Sequence, residues 1–155
     1  MNDVTLELNG EQVAARVEGR LSLADFVREH QLLTGTHLAC EHGVCGACTV
    51  LVDDLPARGC LTLAAAVDGA RIRTIEGFED DPLMAIIRQA FADAHGLQCG
   101  YCTPGMLITV YDMLRRGAAG DRRRIRLELA GNICRCTGYA GILAAVELAA
   151  QRAKS

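Results

Sequence analysis

At 155 residues the chain is long enough for one domain or two small ones, and with 50% hydrophobic and 23% charged residues its composition is that of a folded protein, which excludes disorder. A formal net charge of −3 gives no pull toward nucleic acid or an anionic membrane, and no uncharged apolar run approaches the ~20 residues of a spanning helix. The opening Met1-Asn2-Asp3-Val4-Thr5-Leu6-Glu7 has neither a basic nor an apolar signal region, so a cytoplasmic, reducing location is expected, with export on a signal-bearing partner as the exception. There, eight cysteines in clusters read as metal ligands before disulfides.

Val4, Leu6 and Leu8 alternate with polar neighbours, Asn9-Gly10 is a type I′ hairpin signal, and Val13, Ala15 and Val17 resume the alternation, so the chain should open on a β-hairpin. Ser22 is a good N-cap for a short helix carrying Leu23, Phe26 and Val27 on one face. Three cysteines then crowd into Cys40-Glu41-His42-Gly43-Val44-Cys45-Gly46-Ala47-Cys48, and Cys60 follows after eleven intervening residues. This C-x4-C-x2-C…C spacing resembles that of plant-type 2Fe-2S ferredoxins. Gly43 and Gly46 would let the loop wrap closely and aim N–H groups at the cluster sulfurs. Thr49-Val50-Leu51-Val52 predicts a strand closed by an Asp53-Asp54 turn, and further strands are expected at Cys60-Leu61-Thr62-Leu63-Ala64 and Arg71-Ile72-Arg73-Thr74-Ile75. Together these make an α+β domain over residues 1–76, of the ubiquitin-like (β-grasp) ferredoxin kind by resemblance.

Residues 77–81 read as a polar connector, after which the apolar period changes from two to 3.6. Asp81 can cap a helix with Pro82 at its first position and Leu83, Ile86, Ile87, Ala90 and Phe91 as its stripe, ending at His95-Gly96. A second helix is expected to begin at Pro104 and end before Gly117, a third over 121–130 before Gly131, and a fourth over Ala140–Arg152 striped by Ile142, Leu143, Val146 and Ala149. Residues 82–155 thus predict a four-helix bundle.

A second set of cysteines lies at the mouths of the helix hairpins: Cys99-Gly100-Tyr101-Cys102 between the first two helices and Cys134-Arg135-Cys136 between the last two. If the hairpins pack side by side, four thiolates converge, with helix N-termini near Pro104 and Ala140 facing the negative charge. From spacing alone a structural zinc held by four thiolates stays open, although Cys134-x-Cys136 is tighter than the usual zinc knuckle.

Gln98-Cys99-Gly100-Tyr101-Cys102-Thr103-Pro104-Gly105 and Gly131-Asn132-Ile133-Cys134-Arg135-Cys136-Thr137-Gly138-Tyr139, preceded by the Cys40 loop, closely resemble the small iron-sulfur subunit of the xanthine oxidase family of molybdenum hydroxylases. The resemblance implies a non-catalytic electron-transfer subunit carrying two 2Fe-2S clusters. Cys40, Cys45, Cys48 and Cys60 would hold the flavin-side cluster, and Cys99, Cys102, Cys134 and Cys136 the molybdenum-side one. Gln98 and Cys136 match the family's contacts to the pterin. Partners implied are a large molybdopterin subunit, with the cofactor in its cytosine dinucleotide form, and a medium FAD subunit, in a heterotrimer or its dimer. Carbon monoxide, purines, aldehydes, N-heterocycles and aryl-CoA all stay open as substrates. The alternatives are a free-standing two-cluster ferredoxin and a zinc-stabilised adaptor.

Other features have plainer readings. His42 is expected to be a loop or interface residue, with four cysteines already in place, and His37 and His95 surface or capping residues. Arg115, Arg116, Arg122, Arg123, Arg124 and Arg126 form a basic run without aromatic stacking partners, hence a solvated or partner-facing surface. Tyr101 and Tyr139 either shield a cluster or simply pack, while Met84 and Met106 read as core.

Overall fold

The computed structural model describes residues 1–154; Ser155, the last residue of the predicted second unit, lies outside the described residues. The opening hairpin forms as expected, β1 (Asn2–Leu8) pairing antiparallel with β2 (Glu11–Val17). Asn9 and Gly10 both take positive φ, 52° and 89°, as a type I′ turn requires. The Ser22 hydroxyl caps the next helix by accepting from the Asp25 N–H, but only Leu23–Asp25 (α1) is α-helical. Phe26–His30 widens into a π turn, in which both Phe26 and Val27 are fully buried.

After the cysteine loop come β3 (Thr49–Val52), β4 (Leu55–Arg58) and β5 (Arg71–Arg73). The sheet order is β2-β1-β5-β3-β4, with β1 and β5 pairing in parallel near its centre. Val4, Leu6, Leu8, Val17, Val50 and Ile72 pack with Leu23, Phe26 and Val27 into the core beneath it. This is the expected β-grasp arrangement, with one correction. The segment from Cys60 to Ala64 is not a strand. The Leu61 and Thr62 N–H groups and the Thr62 hydroxyl all bond back to the Arg58 carbonyl, folding the chain into a turn, and Ala64–Val67 continues as a 3₁₀ turn. The strand is β4 instead, and it escapes a pattern search because Pro56 interrupts it; at the sheet edge the missing N–H costs nothing.

The predicted polar connector is also more than a linker. Ile75–Phe78 forms a 3₁₀ turn, and Phe78 is fully buried, edge-on to the Tyr111 ring at 4.7 Å and under the Arg73 guanidinium at 3.7 Å. Arg73 and the Tyr111 hydroxyl both reach the Asp81 carboxylate, at 2.9 and 3.0 Å.

Asp81 then caps α2 (Pro82–Asp93) by accepting from the Leu83 and Met84 N–H groups. The remaining helices are α3 (Thr103–Arg115), α4 (Arg122–Glu128, extended by a 3₁₀ turn over Leu129–Gly131) and α5 (Ala140–Arg152). Met84, Ile87, Phe91, Met106, Ile108, Ile142 and Val146 fill the second core, so the methionines are core as expected, and Leu83 and Ile86 lie at its margin. Chain reversal after α2 falls on His95, at φ 52°, not on Gly96. Most of the basic run is paired: Arg115 reaches Asp54 at 3.9 Å, Arg116 pairs with Asp112 and Glu128, Arg122 with Glu147, and Arg124 with Glu128.

Candidate metal centres

All eight cysteines are free thiols, and they lie on loops, not inside regular elements, as an inorganic group approached from several directions requires. In the first loop, Gly43 and Gly46 take φ of 86° and 75°, which turns successive N–H groups inward. The Cys45 N–H donates to Cys40 Sγ at 3.4 Å and the Ala47 N–H to Cys45 Sγ at 3.5 Å. The His42 and Cys45 N–H groups lower the Cys40 thiol to about 6. Cys60, brought in by the turn after β4, is pushed up to about 11 by burial and by the neighbouring Cys48 thiol. Cys40 therefore neighbours Cys45, and Cys60 neighbours Cys48.

The second loop set repeats the pattern. Cys136 Sγ lies 3.4 Å from Cys99 Sγ, which also accepts from the Tyr101 N–H at 3.5 Å. Burial pushes Cys102 up to about 12, with its neighbour Cys134 adding to the effect. Burial also opposes ionisation of Cys134, but the Thr137 hydroxyl, donating to its sulfur at 3.2 Å, helps bring it below the ordinary thiol range. Tyr139 orients this corner: its hydroxyl accepts from the Cys134 N–H at 2.8 Å and donates to the Asn132 carbonyl at 2.9 Å. Tyr139 thus acts through hydrogen bonds as well as packing.

The donor chemistry fits iron-sulfur groups. Among the described residues no three His, Cys, Asp or Glu side chains close on a single-ion site. The thiols stand in neighbouring pairs, Cys40/Cys45, Cys48/Cys60, Cys99/Cys136 and Cys102/Cys134, which is the arrangement a two-iron group needs, with two thiolates to each iron.

Several residues besides the cysteines hold the two sets together, some inside the motifs and some, such as Arg58, Thr49 and Thr109, outside them. A Cβ at Gly105, in the first turn of α3, would overlap the carbonyl oxygen of Gly46, so the helix start lies directly against the first cysteine loop. Ile133 N–H donates to the Cys45 carbonyl at 2.8 Å. Buried Asn132 donates to Gly46 O at 3.3 Å and accepts from the Thr109 hydroxyl at 3.0 Å. Arg58 reaches both Thr49 Oγ1 and Gly131 O, each at 2.5 Å. His37 is not a plain surface residue: its ring stacks on Tyr101 at 4.7 Å and its Nδ1 pairs with the Tyr101 carbonyl at 2.7 Å. His42 lies exposed with its ring nitrogen on the Cys40 carbonyl. Gln98, Cys99 and Cys136 are all exposed.

Residues 6–73 match the family model described as a 2Fe-2S iron-sulfur cluster binding domain, and residues 74–147 match the 2Fe-2S binding domain model. The gamma subunit of caffeine dehydrogenase from Pseudomonas sp. (strain CBB1) is 46% identical over 147 residues, covering 93% of this chain and 88% of that one. The small subunit of nicotine 6-hydroxylase from Paenarthrobacter nicotinovorans is 45% identical over 144 residues, covering 93% and 87%. The chain belongs to the small iron-sulfur subunits of the xanthine oxidase family of molybdenum hydroxylases. The structure of quinoline 2-oxidoreductase from Pseudomonas putida 86 superposes on this small subunit with a TM-score of 0.91 and 41% identity, over 99% of this chain and 96% of that one. As a small iron-sulfur subunit it is an electron-transfer component of an oxidoreductase complex and has two 2Fe-2S binding domains. Among its described residues no helix is long and apolar enough to cross a membrane.

Proposed function

We propose that this subunit carries electrons one at a time from a molybdopterin site on a large partner subunit to FAD on a medium partner subunit, within a cytoplasmic heterotrimer or its dimer. The two-electron oxidation of substrate must be divided into single-electron steps, and that is what 2Fe-2S groups supply when bound. In this reading Cys40, Cys45, Cys48 and Cys60 hold the flavin-side cluster in a first unit (residues 1–76), while Cys99, Cys102, Cys134 and Cys136 hold the molybdenum-side one in a second (82–155), with 77–81 between them. The observation that carries the ligand assignment is the pairing of the thiols two by two in each set. Exposure of Gln98 and Cys136 supports their facing the pterin, in its cytosine dinucleotide form. Exposed Val44, Leu61 and Leu63 beside the first set support a second, apolar subunit contact there. Similar proteins named for caffeine, nicotine and quinoline favour an N-heteroaromatic substrate for the whole complex, bound on a partner chain.

The test is metal analysis with EPR of the reduced chain, in which two distinct 2Fe-2S signals and about four irons are expected. Cys45→Ser and Cys136→Ser should each remove one signal and leave the other. Stoichiometric zinc with silent spectra would overturn the reading. Affinity capture from the native host should bring molybdopterin and FAD proteins with it, and recovery as a lone electron-competent chain would instead favour a free ferredoxin.

A further inference from the structure

The segment leading to Cys134 is fastened to the first cysteine loop by a closed ring of hydrogen bonds, and one member of that ring is charged. Arg58, at the end of β4, donates from Nη1 to Thr49 Oγ1 and from Nη2 to Gly131 O, each at 2.5 Å. The Thr49 hydroxyl donates to Gly46 O at 2.6 Å, and Asn132 Nδ2 meets the same oxygen at 3.3 Å, closing the ring. Every acceptor of the guanidinium is neutral, and among the described residues no carboxylate lies within ion-pair distance of it. The side chain is half-buried. A partly desolvated cation without a counter-ion costs free energy, so its location calls for a compensating negative group. Its position in the chain supplies two. Arg58 is two residues from Cys60, its partner Thr49 adjoins Cys48, and its other partner Gly131 is three residues from Cys134. Thiolate-ligated iron-sulfur groups are anions, and each becomes more negative by one charge on reduction.

We propose that Arg58 is an electrostatic positioning residue that lies between the two cluster sites, stabilises the reduced state of both and so raises both midpoint potentials. The proposal rests on the assignment of the two thiol sets as 2Fe-2S sites. The step it serves moves one electron from a reduced site to an oxidised one, and no bond forms or breaks. A cation between donor and acceptor interacts with the transferred electron at both ends, so it favours electron occupancy of the pair without biasing which member holds it. That distinguishes its effect from a hydrogen bond to one sulfur, such as that from Thr137 to Cys134, which acts on one site alone.

The experiment compares Arg58→Gln, which keeps an amide donor and loses the charge, with Arg58→Lys, which keeps the charge and loses the two-pronged geometry. EPR-monitored redox titration of the whole subunit reads both midpoints, and iron content and melting temperature are measured alongside. Arg58→Gln is expected to lower both midpoints together, by about 59 mV for each tenfold loss in the reduction equilibrium constant. Arg58→Lys is expected to keep both near the parent values even though it melts earlier. Three results would overturn the proposal: unmoved midpoints in a fully loaded Gln variant, a shift confined to one cluster, or equal shifts in Gln and Lys. If the Gln variant does not load iron, the Lys variant decides alone, since a fall in both of its midpoints speaks for geometry and against charge. Absence of iron signals from the unaltered chain would instead be a failure of the cluster assignment.

Discussion

Ile133 N–H donates to the Cys45 carbonyl at 2.8 Å, which joins the residue before one cysteine of the second set directly to a cysteine of the first. Between the two thiol sets the path is therefore mostly covalent backbone with one hydrogen bond in it. Ile133→Pro removes the donor and sets the proline ring against the Cys45 carbonyl; Asn132 at φ −124°, ψ 110° already has the conformation a residue before proline adopts, and Ile133 is 50% exposed. The variant should keep its iron, lose at least about 1 kcal/mol of stability, and redistribute electrons between the two centres more slowly after pulse reduction. An unchanged redistribution rate would take this bond off the route.

Gly105 is where α3 meets the first cysteine loop. Ala at this position would drive its methyl group into the backbone oxygens of Gly46 and Ala47, and neither is the end of a flexible side chain. Gly105→Ala should cost about 1–3 kcal/mol, seen as a lower melting temperature, and should loosen both thiol sets together. A variant with unaltered melting would mean that the two halves part without strain.

Asp81 makes stability depend on acid. Burial opposes its ionisation, but the Met84 N–H, the Arg73 guanidinium and the Tyr111 hydroxyl outweigh burial and hold the carboxyl below its ordinary 3.8. A carboxyl whose folded value is depressed stabilises the fold at pH above its unfolded value, and that contribution is lost as pH falls through the folded one. Asp81→Asn keeps the helix cap and removes the ion pair. Denaturant titration at neutral pH should show a loss of about 1 kcal/mol, shrinking as pH drops below ~4. A loss independent of pH would point to packing around Phe78 instead.

Gln98 tests the direction of the proposed wiring. It is exposed and adjoins Cys99, so Gln98→Ala should leave iron content and the spectrum of the Cys40, Cys45, Cys48 and Cys60 site intact while slowing reduction by substrate in the assembled complex. If stopped-flow reduction is unchanged and the first site's signal is altered, the two ends must be exchanged.

Much of this molecule is local in origin, and those parts are legible in one dimension. Asn9-Gly10 and Asp53-Asp54 adopt positive φ because short polar residues and glycine tolerate it, Ser22, Asp81 and Asp121 cap helices with their own side chains, and α5 spans Ala140–Arg152 as its stripe predicts. The eight cysteines announce themselves by spacing alone, since ligand loops must be short. Motifs could also name the family, because ligand spacing and its flanking residues are contiguous.

What tertiary structure decided lies between segments far apart in the chain. The strand at Leu55–Arg58 is hidden by Pro56, which a pattern search reads as a break and an edge position tolerates. The segment at Cys60 has strand-like composition, yet three bonds to the Arg58 carbonyl turn it so that the thiol reaches Cys48. Arg58 and Thr49 stand outside the motifs and carry no spacing signal, because a hydrogen bond across 73 residues leaves no periodicity behind. By itself the sequence marked the eight thiols as candidate iron ligands and the local turns that carry them. Only the packing of α3 and the Gly131-Asn132-Ile133 segment against the first loop decided that the two loop sets are tied by the Ile133–Cys45, Asn132–Gly46 and Arg58–Gly131 hydrogen bonds, since such contacts depend on where the backbone returns in space.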